Sequence, residues 1–270
     1  MSYCKLPTLF FIALSALVGC NDHHQHTKIN LAINYFSQAP ESILAKVNIL
    51  GQQERLVADW LSQNLYEARE TSEYQHSHFI SLYSNQSQRQ GTSTSALALV
   101  DVLLLKPDSI AEHQFAIPKG KPILATTMNL APFRHDGLNL FGIDGDKNRV
   151  FTKYYDKDLV GFISLNNSNY DPTASVTKND IVRLKETVHE LEQNHINKVI
   201  LVSQFDMKTT QAIIAKAQLT NIDVVLTQEA PKKAVLDGGT CYASFSNHFD
   251  QLDRLQLQFS QQGAITICSF

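Results

Sequence analysis

A cysteine at position 20 closes an apolar run, and it is the first residue of this sequence whose placement implies chemistry. Lys5, the apolar segment from Leu9 to Val18 and the sequence Leu17-Val18-Gly19-Cys20 have the form of a bacterial export signal whose cysteine takes lipid. The start is positive, the apolar stretch is short for a bilayer span, and a small residue precedes the cleavage point. On this reading residues 1–19 are a lipoprotein signal peptide and Cys20 is the lipidated N-terminus. The protein then faces the periplasm, held to the membrane of the cell envelope. An uncleaved apolar N-terminus or a non-lipidated signal is the alternative. Cys241 and Cys268 remain after processing, both in apolar segments. In an oxidising compartment they could form a disulfide or stay two buried thiols, and the sequence leaves both open.

Other chemistry-bearing residues give weaker signals. Asp22, His23, His24 and His26 combine donor types that suit zinc, but a polar segment beside a lipid anchor has no scaffold to hold them in place. Asp144-Gly145-Asp146-Lys147-Asn148 opens like a calcium loop, yet Arg149 and Tyr155 stand where glycine and a bidentate glutamate belong. A hairpin turn is the favoured reading there. Ser203 could suggest a hydrolase triad, but no Gly-x-Ser-x-Gly elbow surrounds it. Asp206 and Glu229 follow two expected strands and could approach one another across a cleft. Such a pair could bind a cation or do acid–base work, or be a solvated rim.

The elements that must position these residues follow from periodicity. Beyond the signal, about 250 residues are enough for one domain with a sizeable core. The net charge of −3 is small and the basic residues are scattered, so nucleic-acid binding has no electrostatic support. Residues 20–28 read as the lipidated cysteine and a polar tether, and residues 29–270 as the globular domain. Strands are expected over 29–33, 79–83, 122–128 and 159–165, and helices over 56–65 and 95–105. Thr177 with Asp180 marks a helix start, followed by the stripe Ile181, Leu184, Val188 and Leu191. Residues 198–227 form the clearest βαβ unit, with strands over 199–202 and 222–226 around a helix over 209–217. Segments 241–246, 254–259 and 264–268 are expected to close the domain as antiparallel strands, with Gln261-Gln262-Gly263 as the last turn.

The order of segments resembles the catalytic domain of the 5′-nucleotidase family, the calcineurin-like metallophosphoesterases. That family has Gly-Asn-His-Glu-Phe-Asp followed by a strand of the type Pro-Val-Leu-Ser-Ala-Asn. Here the chain has Glu112-His113-Gln114-Phe115 and then Pro122-Ile123-Leu124-Ala125-Thr126-Thr127-Met128-Asn129. Val160-Gly161-Phe162-Ile163-Ser164-Leu165-Asn166 is similar to the next family strand. Val199-Ile200-Leu201-Val202-Ser203-Gln204 and Asp223-Val224-Val225-Leu226-Thr227-Gln228-Glu229 take the places of the strands that end in the family's Ser-His and Gly-His-Ser-His. Near the N-terminus the first metal motif falls on Asn34, Tyr35, Phe36 and Ser37, and the second on Gln86-Ser87 with Gly91-Thr92 following. A rival register puts Asn21-Asp22-His23-His24 on the first motif, but cleavage at Cys20 would then delete the strand before it.

The resemblance implies a single-domain α/β fold, a four-layer α/β/β/α sandwich as in the metallophosphoesterases. It also implies a site in which two divalent ions would clamp the attacking and leaving oxygens of a phosphoester. The matching positions carry Tyr35, Ser37, Ser87, Glu112, Gln204, Glu229 and Pro231, of which only the glutamates are ordinary hard-metal ligands. Asn34, Glu112, Asp206 and Glu229 are therefore weak candidate ligands. His113 stands at the family's catalytic histidine, which stabilises charge on the transferred phosphoryl group, although a retained histidine can equally be a packed structural residue. The dimetal site reads as degenerate, so no cofactor is expected and a pseudoenzyme is favoured, one that binds an envelope protein or small ligand. The alternative is a phosphoesterase with two metal ions and a rebuilt site. The family's base-gripping C-terminal domain has no counterpart expected here.

Overall fold

The structure, a computed structural model, describes residues 27–36, 70, 77–83, 101–105, 120–129, 138–144, 147–155, 158–166, 176–229, 231–245, 253–260 and 262–270. In the larger sheet, β1 (Thr27–Phe36), β2 (Ser77–Tyr83), β3 (Val102–Leu105), β4 (Pro122–Asn129), β5 (Asn139–Asp144) and β6 (Lys147–Asn148) follow one another in space. In the smaller sheet, β7 (Phe151–Tyr155) and β8 (Asp158–Leu165) lead to α1 (Lys178–Gln193), β9 (Val199–Ser203), α2 (Met207–Ala217) and β10 (Val224–Gln228). Its far edge is a hairpin of β11 (Lys233–Asp237) and β12 (Thr240–Phe245), giving the order β11-β12-β10-β9-β8-β7. The chain then returns to the larger sheet, where β13 (Asp253–Phe259) pairs with β1 and β14 (Ile265–Ser269) forms the edge.

Alternation of side chains divides the interior into two cores. Ile29, Leu31, Leu124, Phe162, Val202 and Leu226 belong to a buried cluster between the two sheets. Intervening residues of the same strands, Ile163, Leu165, Leu201 and Val225, pack against α1 and α2 through Leu184, Val188, Leu191, Ile213 and Ile214. Helices, smaller sheet and larger sheet are thus three successive layers. The helix expected over 56–65, which would cover the other face of the larger sheet, lies outside the described residues.

Local chemistry explains the element ends. The Thr177 hydroxyl accepts the Asp180 N–H at 3.2 Å and the Asp180 carboxylate accepts the Thr177 N–H at 2.8 Å, the reciprocal cap that starts α1. Gly161 lets that helix sit close, since a Cβ there would lie 2.8 Å from a Leu191 methyl. Gly238 and Gly239 have φ of +56° and +88°, as a two-residue turn of matching twist requires between β11 and β12.

Several sequence expectations need correction. Residues 102–105 form a parallel strand between β2 and β4, not the end of a helix over 95–105. Val-Leu-Leu-Leu suits either element, and pairing on both sides decides it. Strand β1 begins at Thr27, which is buried, so the sheet starts two residues inside the expected tether. The closing strands do not form one antiparallel group. Strand β12 runs parallel to β10 in the smaller sheet, whereas β13 and β14 belong to the larger one. Strand β11 was hidden by its exposed, charge-ended sequence. Asp144 pairs with Lys147 in a tight β5–β6 hairpin, as the turn reading of that segment requires.

Two links tie the sheets together away from their apolar core. Cys241 on β12 and Cys268 on β14 form a disulfide with a Cα–Cα distance of 5.8 Å. At the amino ends of the smaller sheet, the buried Lys198 ammonium lies 3.3 Å from the Asp158 carboxylate, which also accepts a hydrogen bond from Thr27 of β1. Nearby, Asp223 accepts the Val199 N–H at 2.7 Å. Burial pushes its carboxyl up to about 6, against the opposing pull of the Val199 N–H and Lys198.

The disulfide and Asp223 each generate a prediction. Replacing Cys268 by serine opens a crosslink between residues 27 apart in sequence, and urea unfolding of the variant is expected to show a loss of about 3 kcal/mol. For Asp223 the sign is set by a folded pKa above the unfolded one. The stabilising effect of its neutral form is fully present below the unfolded value and is lost as pH rises through about 6. Asp223→Asn, which keeps an acceptor for Val199, should therefore gain about 2 kcal/mol more over the wild type at pH 7.5 than at pH 4.5. An equal difference at the two pH values would contradict this.

Candidate functional site

The carboxyl ends of parallel strands are where an open α/β sheet binds ligands, and in the smaller sheet β8, β9, β10 and β12 converge there. Strand β9 ends at Ser203, and Gln204 follows it. Ser203 is fully buried, and its hydroxyl shares a 2.8 Å hydrogen bond with Thr210 of α2 and accepts the Phe205 N–H at 3.1 Å. That arrangement shapes the β9–α2 turn and leaves no exposed nucleophile, which corrects the triad reading. The Gln204 N–H donates to the Leu165 carbonyl at 3.2 Å, while its Oε1 is buried without a partner among the described residues. The Thr227 hydroxyl at the end of β10 is likewise buried and unpartnered among them.

Asp206 and Glu229 are brought together by the first turn of α2. Asp206 is the N-cap: Oδ1 accepts the Thr209 N–H at 2.7 Å and Oδ2 accepts the Thr209 hydroxyl at 3.0 Å. Glu229 reaches over from β10 and accepts the Met207 N–H on Oε2 at 3.0 Å. Orphan donors at a helix N-terminus and the helix dipole both favour carboxylates there. The pair anticipated from sequence therefore meets, but with helix backbone between its members. Glu229 also lines a cavity of about 320 Å³ against Met207, Pro231, Lys233, Val235 and Tyr242.

On the other side of the strand ends, β4 and β8 meet across the two sheets through side chains. The Ser164 hydroxyl accepts the Thr126 N–H at 2.9 Å, and the Thr126 hydroxyl accepts the Ser164 N–H at 2.9 Å. The Thr127 hydroxyl donates to the Asn166 carbonyl at 2.7 Å and accepts the Asn166 N–H at 3.0 Å. Ser164 in turn donates to the Asn166 side chain. All four residues are buried, and each hydroxyl pairs with a backbone group across the two sheets. Arg183 of α1 donates to the Thr127 carbonyl at 3.0 Å, binding helix to seam. Sequence reasoning missed this seam; its signal was Ser164 and Asn166 interrupting an otherwise apolar run.

The remaining candidates fall elsewhere. Asn34 and Tyr35 lie near the end of β1, which runs parallel to β2. Cys20, Asp22, His23, His24, His26, Ser37, Ser87, Glu112 and His113 lie outside the described residues. Among the described residues no three His, Cys, Asp or Glu side chains converge as a metal site would need. The donor set that can be inspected does not fit a pair of divalent ions. Gln204 offers a neutral oxygen, Pro231 offers no side-chain donor, and Glu229 already holds a helix N–H.

No protein-family model and no curated protein matches the sequence. Solved structures do. The chain is similar to the Haemophilus influenzae NAD nucleotidase NadN, with a TM-score of 0.55 and 12% identity, over 90% of this chain and 50% of that one. It is also similar to the Thermus thermophilus sulfate thiohydrolase SoxB, with a TM-score of 0.51 and 13% identity, over 77% of this chain and 41% of that one. The likeness is one of fold. This chain spans half or less of the length of either protein. The mixed α/β, metallophosphoesterase-like fold implied by the sequence resemblance is the fold observed.

If Asp206 and Glu229 serve α2, their loss should register as stability. Asp206→Ala is expected to cost about 1 kcal/mol in urea unfolding, and Glu229→Ala several tenths to about 1 kcal/mol. Variants as stable as the wild type would show that neither carboxylate is committed to the helix.

Proposed function

We propose that this chain is a lipid-anchored protein of the cell envelope, facing the periplasm, whose metallophosphoesterase-like domain has given up its dimetal chemistry. It works as a binding or scaffold protein, taking an envelope protein or a small ligand at the old cleft or its rim. The observation that carries the reading is the state of the two strand ends that lead into the resemblance's imidazole motifs. Strand β9 ends at Ser203 and is followed by Gln204, and β10 ends at Gln228 and is followed by Glu229, the glutamate held by the Met207 N–H. A carboxamide and a carboxylate already serving a helix are a poor exchange for imidazoles when two hard cations must be held. The envelope placement rests on the signal-like N-terminus ending at Cys20. It accords with the Cys241–Cys268 disulfide, since such bonds persist in oxidising compartments.

The name of one structural neighbour, a nucleotidase, favours a second reading. In it the chain is a phosphoesterase with two bound metal ions and a site rebuilt from His113, Glu112, Asn34, Asp206 and Glu229. A phosphate-release assay on nucleotides and simple phosphoesters, with manganese, zinc or cobalt added, separates the two. The binding reading expects no release above buffer and no change on His113→Ala. Metal-dependent turnover abolished by His113→Ala would establish the enzyme.

A further inference from the structure

The exposed edge of the smaller sheet carries a pattern that the cleft does not explain. Strand β11 is the terminal strand of that sheet and, among the described residues, pairs with β12 alone, in unbroken antiparallel register from Lys233↔Ser244 to Asp237↔Thr240. Such an edge presents unpaired backbone N–H and C=O groups. Proteins usually blunt it with short length, charged side chains, proline or a bulge. Here the charges stand only at the two ends, Lys233 and Asp237, and the centre Ala234-Val235-Leu236 has no charge, proline or bulge. Instead Val235 and Leu236 are 38% and 45% exposed, two large apolar side chains turned to solvent on one short strand.

We propose that β11 pairs with β11 of a second copy of this chain, antiparallel about a two-fold axis through Val235. The argument is self-complementarity. The register that pairs all five residues sets Lys233 against Asp237 of the other copy, Ala234 against Leu236, and Val235 against itself. By symmetry the Lys–Asp pair occurs at both ends of the ladder. Opposite charges directly across a ladder are stabilising and like charges destabilising. Moving the axis to Ala234 or Leu236 sets Lys233 opposite Val235 or Gly239, so the charges also choose the register. An isologous contact of this kind is the commonest form of dimer.

The neighbouring strand supports the same axis. Val235 pairs with Tyr242 of β12, and both face the cavity formed with Met207 and Pro231. Pairing through Val235 therefore sets up one apolar row, Tyr242-Val235-Val235-Tyr242, across the two copies. Lys233 and Asp237 bound it on each side. The two six-stranded sheets join into one, and the exposed edges are removed. A five-residue ladder buries less surface than a standard stable interface, so the association is concentration-dependent.

The test is sedimentation equilibrium on the full chain in detergent, with circular dichroism to verify folding. The wild type is expected to show a reversible monomer–dimer equilibrium. Lys233→Asp and Asp237→Lys should each weaken dimerisation by about tenfold or more. The double variant, which restores opposite charges, should recover the wild-type constant to within about threefold. Val235→Cys should form a disulfide-linked dimer under mild oxidation, whereas cysteine at exposed Lys208 on α2 should not. This single exposed replacement also decides the matter if a charge-reversed chain fails to fold. A wild type that stays monomeric at all concentrations, a dimer indifferent to the single reversals, a double variant that does not recover, or a Val235→Cys chain that does not crosslink would each overturn the proposal.

Discussion

The first turn of α2 constrains everything at the carboxyl ends of the smaller sheet. Its backbone N–H groups have no partner within the helix, and two carboxylates answer them: Asp206 as the cap and Glu229 from the end of the neighbouring strand. A carboxylate oxygen spent on an N–H is a weaker ligand, and moving it to a cation would leave that N–H bare. Both carboxylates thereby fix the helix to the end of the sheet. Ser203 adds to the same turn by bridging to Thr210 and to the Phe205 N–H. Strand end, turn and helix start are thus joined by side-chain hydrogen bonds.

Between β4 and β8 a second polar unit holds the sheets in relation to each other. Packing of the apolar faces fixes their separation but leaves lateral sliding cheap, because dispersion is not directional. The seam of Thr126, Thr127, Ser164 and Asn166 supplies direction, with backbone groups of β4 and β8 paired through hydroxyls. The Cys241–Cys268 bond does the same at the other edge, and the Lys198–Asp158 pair at the amino ends. Hydroxyl pairs, one covalent link and one ion pair thus hold the two sheets in register.

Much of this fold could be read from the sequence because its periodicities are local. Residues 159–165 and 199–202 are continuous apolar runs that only a doubly covered strand accommodates, and Thr177 with Asp180 announces α1 one residue before it starts. What escaped was set by partners distant in sequence. Whether Val102 to Leu105 extends or coils is decided by β2 and β4 on either side. The parallel pairing of β12 with β10 has no local signature, and β11 carries exposed charges that resemble a loop. At the site, the residue types at Gln204 and Glu229 were legible, but their roles were not. That Glu229 reaches Met207 depends on how β10 and α2 sit together, which spacing alone does not fix.

Calorimetric titration of the purified chain with manganese and with zinc at neutral pH measures most directly whether the strand ends assemble a pair of cation sites. No stoichiometric binding at micromolar concentrations is expected with either ion. Saturation at two equivalents per chain, lost on replacing Glu112, His113 or Glu229, would contradict it.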